Sequence, residues 1–369
     1  MKLLVQPGDG IGSLVKAIER AKKSIQIVIF RFDRLELEKA LEDAVKRGVA
    51  VEALIAFTNR GGEKNLRKLE LRFLDHGVTV ARTADDLVRY HGKMMIIDGK
   101  ELHLLAFNFT QIDTDRSRSF GVITQDKELV KEAIELFECD SKRRSYKPGS
   151  TRFLVSPLNA RKGLVGFIRK AKKELLLYDV KITDREMIKL LEEIASQGVE
   201  VRVIGKMARH SSQIAIRKLA DLRLHTRTMI RDGKEVFVGS QSLRELELDS
   251  RREIGVILRG SQIVDRLTKV FETDWKGGVV SAEEADDIEK PVAAKVAKKV
   301  AKNLLKEMPP IGPVVEEVAK EVIPNGKNGL GVDHDEIEET VKMAVKQAVK
   351  QAVREVVEEA TEQQREPEA

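Results

Sequence analysis

Two short stretches of the chain carry the same reactive residue types at the same spacing. The shared pattern is a histidine, a basic residue two positions later and an aspartate five positions after that. It occurs as His91, Lys93 and Asp98, and again as His225, Arg227 and Asp232. Because residues i and i+2 of a strand point to the same side, each imidazole is expected beside a fixed positive charge. Since the chain has only six histidines in 369 residues, two in one repeated pattern are informative.

Two imidazoles and two cations around one cavity suit the cleavage of a phosphodiester. Lys93 and Arg227 would bind the phosphoryl oxygens and stabilise the charge of the transition state. One histidine would attack phosphorus, and the other would protonate the leaving oxygen and then deprotonate the incoming water or alcohol. A carboxylate bound to the far ring nitrogen would fix the tautomer. This chemistry uses no metal and no cofactor, and we expect neither.

The two motifs belong to an internal repeat of the chain. The stretch from Leu3 matches the stretch from Phe153 at an offset of 150, with Pro7 on Pro157 and Gly48 on Gly198. From the motifs onward the offset is 134, because the second copy is shorter. If the two copies pack about a pseudo-twofold axis, their motifs meet at the interface.

Each copy is predicted to alternate strands with helices, which indicates an α/β fold with a largely parallel or mixed sheet. In the first copy the strands are Leu3–Val5, Ile25–Phe30 and Val49–Phe57, and a helix covers Leu35–Arg47. In the second copy the strands are Phe153–Val155, Leu175–Val180 and Val199–Ile204, and a helix covers Met187–Gln197. We expect a tight hairpin turn after each motif, at Asp98-Gly99 and at Asp232-Gly233.

The paired motif resembles the signature of the phospholipase D superfamily, which is His-x-Lys-x4-Asp followed by Gly-Ser-x-Asn and a later Glu. The resemblance covers about residues 1–280, and Phe271–Trp275 is similar to an element of bacterial cardiolipin synthases. It implies two similar phospholipase D-like α/β domains, 1–147 and 148–280, packed about a pseudo-twofold axis. It also implies a phosphohistidine intermediate, with His91 as the nucleophile and His225 as the acid–base partner. The supporting residues would be Asp98, Asp232, Asn108, Ser242 and Glu253.

The sequence departs from this signature in both copies. The first copy keeps Asn108 but has Ser119 where the glutamate is usual, and the second keeps Glu253 but has Ser242 in place of the asparagine. In the second copy, Arg227 takes the place of the motif lysine.

The resemblance implies a metal-independent phosphodiesterase or phosphatidyltransferase of phospholipids, similar to cardiolipin synthase. The alternatives are a nuclease of the same superfamily and a catalytically degenerate phosphate-binding module.

Charge separates the body of the chain from its C-terminal part. Residues 281–369 hold 13 basic and 20 acidic residues, a net charge of −7. Because the whole chain carries +6, residues 1–280 carry +13. The basic body suits a phosphate-bearing partner. The tail, with valines four apart, is expected to be either an amphipathic-helical arm for helix–helix association or a partly disordered appendage. No apolar run of 18 residues occurs, and a single cysteine, Cys139, forms no internal disulfide. We expect a cytoplasmic protein with peripheral membrane contact. His210 is expected to be a surface loop histidine.

Overall fold

The computed structural model describes residues 1–57, 63–84, 86–209 and 211–280. The predicted helical tail, 281–369, and His210 lie outside the described residues. The two copies belong to a single compact unit, Met1–Ala282. The division of that unit at residue 147 stays a prediction.

The first copy alternates strands and helices and closes on a long helix. Its elements are β1 (Lys2–Gln6), α1 (Gly12–Arg20), β2 (Ser24–Ile29), α2 (Leu35–Lys46), β3 (Ala50–Ile55), α3 (Glu63–Asp75), β4 (Thr79–Arg82), β5 (Arg89–Tyr90), β6 (Met94–Ile97), β7 (Glu101–Leu105), α4 (Gln111–Asp115), β8 (Ser117–Thr124) and α5 (Lys127–Ser141).

The second copy repeats this order, and its described residues include no counterpart of α3. Its elements are β9 (Phe153–Val155), α6 (Ala160–Arg169), β10 (Glu174–Ile182), α7 (Arg185–Ser196), β11 (Glu200–Met207), β12 (Ile214–Lys218), β13 (Arg223–Leu224), β14 (Arg227–Arg231), β15 (Glu235–Gly239), α8 (Glu245–Asp249), β16 (Arg251–Arg252), β17 (Ile254–Arg259), α9 (Ser261–Gly277) and β18 (Val279–Val280). The predicted strands and helices are confirmed, with ends that agree within three residues.

The two copies form two mixed sheets with the same strand order. In the first, the order is β1-β8-β7-β6-β2-β3-β4, and in the second it is β9-β17-β15-β14-β10-β11-β12, with β18 added at the edge. The pairs β2·β3 and β10·β11 are parallel, whereas β2·β6 and β10·β14 are antiparallel. Each motif hairpin therefore lies in the middle of its sheet, where strands such as β6 are buried along their whole length.

Short strands cross between the copies in a reciprocal way. From the second copy, β13 pairs with β8, with Arg223 opposite Ser117, while from the first copy β5 pairs with β16, with Arg89 opposite Arg251. Both pairings are parallel, and they are equivalent, because Arg89 corresponds to Arg223 and Ser117 to Arg251 at the offset of 134. This reciprocity is that of a twofold axis, so the predicted pseudo-twofold arrangement is confirmed.

Apolar side chains from both copies share one core. The ring of Phe120 packs edge-on against Tyr178 with centroids 5.3 Å apart, and Tyr178 packs against Phe271 at 5.1 Å. The core that joins the copies therefore includes helix α9, which carries Phe271, as well as strands β8 and β10. In the first copy, α1 buries Leu14, Ala17 and Ile18, the i, i+3 and i+4 positions expected of an amphipathic helix.

The motif aspartates lie in the predicted hairpin turns, at the far end of β6 and β14 from the histidines. Asp98 and Gly99 have positive φ angles of 52° and 62°, and Asp232 and Gly233 have 53° and 59°. The carboxylate of Asp98 accepts hydrogen bonds from the backbone N–H groups of residues 22–24, and Asp232 does the same for 172–174. Burial raises the pKa of both carboxyl groups, but these hydrogen bonds outweigh it and lower the pKa. Asp98 and Asp232 therefore support the site by fixing the turns of the two motif hairpins.

We predict that Asp98→Ala destabilises the protein by about 1–2 kcal/mol, because three backbone donors lose their acceptor and alanine tolerates a positive φ poorly. The measurement is the midpoint of thermal unfolding of the full chain. Asp98→Asn is the matched control, since asparagine keeps an acceptor oxygen and adopts positive φ readily. Equal midpoints for the alanine variant and the wild type would contradict this account of the turn.

Candidate active site

Both motif histidines lie in short links that the opposite copy holds in place. His91 follows β5 and His225 follows β13, so the expectation that the two histidines lie within strands is wrong. Lys93 also lies outside the strands, whereas Arg227 is the first residue of β14. The backbone N–H of His91 donates to the carbonyl of Arg252 at 2.7 Å, and that of His225 to the carbonyl of Arg118 at 3.0 Å. The hydrogen bonds that fix each histidine therefore cross the interface.

The ring of His91 is hydrogen-bonded at both nitrogens. Its Nδ1 lies 2.8 Å from Oε2 of Glu253, and its Nε2 lies 2.9 Å from Nζ of Lys93. A charged lysine has no acceptor, so it donates to Nε2, and Nε2 then carries a lone pair rather than a hydrogen. The ring proton lies on Nδ1 and is donated to Glu253. Phe30 packs edge-on against the ring, with centroids 4.6 Å apart, and holds its plane.

Burial sets the charge states around His91, which is 7% exposed. Burial lowers the pKa of His91 well below its ordinary value, and the positive charges of Lys93 and Arg227 lower it further. Burial also lowers the pKa of Lys93 to about 7, although Glu253 opposes this shift. The pKa of Glu253 is raised by burial. Near neutral pH, His91 is therefore an uncharged imidazole beside an ammonium group close to its titration midpoint.

Arg227 places a buried guanidinium on the second side of the site. It is 8% exposed, and its Nη2 lies 3.6 Å from Oε2 of Glu247. In the described ranges, its Nε and Nη1 have no hydrogen-bond partner. Buried donors without partners are costly, and a guanidinium matches the geometry of phosphoryl oxygens. The arrangement therefore fits an anion between Arg227 and Lys93.

His225 is equally buried but differently surrounded. Its Nδ1 lies 3.4 Å from Oδ2 of Asp113 and makes no hydrogen bond within the described part of the chain. Burial lowers the pKa of His225 well below its ordinary value; Asp113 opposes this, while Arg227 and Lys93 add to it. The charges of the two motifs therefore act on each other across the interface.

The two predicted supporting residues in the Asn positions each fix a carboxylate. Asn108 donates to Oδ2 of Asp113 from its side chain at 2.6 Å and from its backbone at 2.9 Å. Ser242 donates from its hydroxyl to Asp179 and from its backbone to Glu247 at 2.9 Å. The structure thus brings Asn108, Ser242 and Glu253 to the site, whereas Asp98 and Asp232 remain in the turns.

Three acidic residues of the site were missed from the sequence: Asp113, Asp179 and Glu247. A signal for two of them existed, because Asp113 and Glu247 correspond at the offset of 134 and each lies five residues after an Asn-position residue. Both are buried, at 1% exposure. Asp179 had no such signal, since its counterpart in the first copy is Ile29.

The residues that the structure describes contain neither a cluster of metal ligands nor a membrane-spanning helix. Across residues 1–57, 63–84, 86–209 and 211–280, no group of three or more His, Cys, Asp or Glu side chains is placed to hold a metal ion. Among the helices described, none is long and apolar enough to cross a membrane.

Comparisons with known proteins agree with this geometry. A family model described as "Cardiolipin synthase, PLD-like domain" matches residues 14–141 and 164–275. The chain is 27% identical over 133 residues to the mitochondrial cardiolipin hydrolase of Danio rerio; the match covers 34% of this chain and 56% of the relative, so it spans about half of that protein.

Two solved structures share the fold of the described unit. The phosphatidylserine synthase of Haemophilus influenzae is 12% identical with a TM-score of 0.60, and the match covers 81% of this chain and 93% of that one. The polyphosphate kinase of Porphyromonas gingivalis is 19% identical with a TM-score of 0.63, covering 74% of this chain and 50% of that one.

The family model matches each copy separately, and the two matched regions together account for more than half of the chain. In the structure these regions contribute one histidine and one cation each to a common site. The chain therefore belongs to the phospholipase D superfamily.

Proposed function

We propose that the chain is a phosphodiesterase or phosphatidyltransferase of phospholipids that works through a phosphohistidine intermediate on His91. The observation that carries the proposal is the state of the His91 ring: it is neutral, its Nδ1–H is held by Glu253, and its Nε2 lone pair faces Lys93. Nucleophilic catalysis requires an oriented, unprotonated nitrogen of this kind.

In the first step, Nε2 of His91 attacks phosphorus and the bond from phosphorus to the leaving oxygen breaks. The phosphoryl oxygens take over the hydrogen bond that Lys93 gives to His91, and they also use the free donors of Arg227. His225 gives its proton to the leaving alkoxide. The anionic substrate raises the pKa of His225, because it opposes the positive charges of Lys93 and Arg227.

In the second step, the intermediate is resolved by water or an alcohol. The now neutral His225 removes a proton from the incoming hydroxyl, a new phosphorus–oxygen bond forms, and the bond to Nε2 of His91 breaks. Glu253 stabilises the positive charge that the His91 ring carries while it is phosphorylated, since its carboxylate lies 2.8 Å from Nδ1. Water gives hydrolysis, and a glycerol-type alcohol gives transfer.

Two kinds of observation support a lipid substrate. The matching family model is described as a cardiolipin synthase domain, and the relative from Danio rerio is named a cardiolipin hydrolase. In addition, Ile112 and Leu246 are 51% and 44% exposed on the short helices α4 and α8, and the next residues, Asp113 and Glu247, reach into the site. These corresponding apolar side chains flank the site and suit contact with acyl chains at a membrane surface. We therefore propose a cytoplasmic protein with peripheral membrane contact.

The substrate class is tested with two substrates in parallel, phosphatidylglycerol in mixed vesicles and a labelled single-stranded DNA. We expect phosphatidic acid or cardiolipin from the lipid and no cleavage of the DNA. We also expect the same rate in excess EDTA, because Lys93 and Arg227 supply the positive charge that a metal would supply. The products are measured by mass spectrometry, with His91→Gln as the matched inactive protein.

Other outcomes of this assay distinguish the alternatives. Cleavage of DNA alone would make the chain a nuclease of the superfamily. Turnover of neither substrate, with phosphate-competed binding retained, would make it a phosphate-binding module. Loss of activity in EDTA that one particular metal restores would contradict the mechanism.

The roles of the two histidines are tested with bis(p-nitrophenyl) phosphate, whose leaving group needs no proton. His225→Ala should still form the covalent adduct and then accumulate it, because it lacks the base for the second step. His91→Ala should form none. The adduct is detected by intact-protein mass spectrometry after rapid acid quench. An adduct on His225 in the His91→Ala protein would reverse the assignment.

The pH dependence of kcat/KM for the same substrate tests the role of Lys93. This parameter reports the free enzyme up to adduct formation, so it does not depend on proton donation by His225 to nitrophenolate. It should fall as pH rises through about 7, because Lys93, with a pKa of about 7, loses the charge that binds phosphate. The acid limb should lie below pH 6.5, since the pKa of His91 is lowered.

Lys93→Arg is the matched control for this profile. Arginine keeps its charge through this range, and Arg227 already occupies the equivalent position of the second copy. The fall near pH 7 should therefore disappear in this variant, whatever its absolute rate. A fall that stays near pH 7 would assign the titration to another group.

A further inference from the structure

Position 119 is where the first copy lacks the carboxylate that the second copy has. Ser119 is paired with Gln6 in the sheet, and the carbonyl of Glu253 accepts the backbone N–H of Ser156, the counterpart of Gln6. The residues just before, Arg118 and Arg252, accept the backbone N–H groups of His225 and His91 respectively. Ser119 therefore stands in the place from which Glu253 reaches His91.

Ser119 does not serve the ring of His225. Its hydroxyl donates to the backbone carbonyl of His225 at 3.2 Å. A serine at this position is also neutral and short, so it cannot stabilise an imidazolium as Glu253 does for His91. The second histidine needs a carboxylate from another position.

We infer that Asp113 is that carboxylate, a positioning residue that holds His225 by its Nδ1 and replaces the glutamate missing at position 119. The inference rests on the proposed function, because it gives Asp113 a purpose in the proton transfers of His225. Asp113 belongs to the first copy, as Ser119 does, so it reaches His225 across the same interface. Its Oδ2 lies 3.4 Å from Nδ1.

The surroundings of Asp113 keep it ionised and aimed at His225. Asn108 holds Oδ2 through two hydrogen bonds, and Arg223 donates to Oδ1 at 2.6 Å. Burial raises the pKa of Asp113, but His225, the Asn108 backbone and Arg223 outweigh it, so the pKa is lowered. A fixed, charged acceptor on one side of the ring keeps the proton on Nδ1 and leaves Nε2 to exchange protons with the substrate.

The equivalent acidic residue of the second copy has a different partner. Glu247 corresponds to Asp113, but it lies 3.6 Å from Nη2 of Arg227 and also accepts from Arg251 at 3.2 Å. His91 already has Glu253, so Glu247 is free to pair with a cation of its own copy. The two acidic positions have thus diverged in the way that the loss of a glutamate at 119 requires.

The first test is the variant Asp113→Asn, assayed with a phosphodiester whose leaving group is an alcohol. We expect kcat to fall about 10²- to 10⁴-fold, as when a histidine loses its orienting carboxylate, with KM nearly unchanged. With bis(p-nitrophenyl) phosphate the adduct should still form, while its hydrolysis slows. A merely structural role would affect both leaving groups alike.

The decisive test restores a carboxylate from the position where the second copy carries it. In the Asp113→Asn background, Ser119→Glu should raise kcat by at least about tenfold, because a glutamate there is placed as Glu253 is toward His91. Ser119→Gln, of the same size but uncharged, is the matched control and should not. Retention of kcat within about threefold in Asp113→Asn, or equal effects of Glu and Gln, would overturn the inference.

A measurement on the wild type keeps the inference testable if the variants fail to fold. Long-range ¹⁵N–¹H NMR of histidine-labelled protein, with the His225 signals identified from a His225→Gln sample, reports the tautomer. We expect the proton on Nδ1, and a proton on Nε2 would overturn the inference. If the wild type is inactive but shows the Nδ1–H tautomer, the proposed function is wrong and the contact between Asp113 and His225 stands. If the wild type is active and Asp113→Asn is fully active, the inference is wrong and the proposed function stands.

Discussion

The site depends on the reciprocal contact between the two copies. Arg118 pairs with Asp274 at 2.7 Å, and its counterpart Arg252 pairs with Asp140 at 3.1 Å, so that each arginine binds an aspartate of the other copy. The carbonyls of these same arginines accept the backbone N–H groups of the two motif histidines. The interactions that join the copies and those that position the imidazoles therefore involve the same residues. A single copy would expose its histidine and lack the carboxylate that orients it.

Exclusion of water is the second constraint, and it follows from the first. The interface buries Lys93 and Arg227 beside two histidines, with Glu253, Asp113 and Glu247 around them. Isolated charges are costly in such a place, and a carboxylate for each histidine and for Arg227 offsets only part of that cost. The remaining cost of burial shows in the lowered pKa of Lys93 and in two donors of Arg227, Nε and Nη1, that have no partner among the residues the structure describes. The phosphodiester anion of the proposed function would supply the missing negative charge, so its binding would offset the free energy that burial of these cations costs.

The fold and the principal site residues were predictable because the strand–helix pattern and the His-basic-Asp motif each occur twice in the chain. Strand positions, turn aspartates and the meeting of the two motifs followed from periodicity and from one offset. The precise placement of the histidines, in links rather than strands, did not follow, because it depends on backbone hydrogen bonds from the other copy. Asp179 could not be found for a related reason: its partner, Ser242, is distant in sequence and adjacent only after folding. Asp113 and Glu247 correspond in the repeat, but the contact of Asp113 with His225 did not follow from that, because these two residues are also distant in sequence.

The contacts of the two histidines differ in a way that suits two different roles. A nucleophile needs a lone pair that is already exposed, and an ammonium group that donates to Nε2 of His91 ensures this, while Glu253 holds the opposite nitrogen at 2.8 Å. A proton carrier must instead change its charge twice in each cycle. Within the described residues, the ring nitrogens of His225 make no hydrogen bond to a cation, and Asp113 lies at 3.4 Å, close enough to stabilise the charged ring when it forms. The departures from symmetry, Ser119 and Arg227 among them, are therefore compatible with one working site in which the copies have divided the tasks, and they do not by themselves indicate a degenerate one.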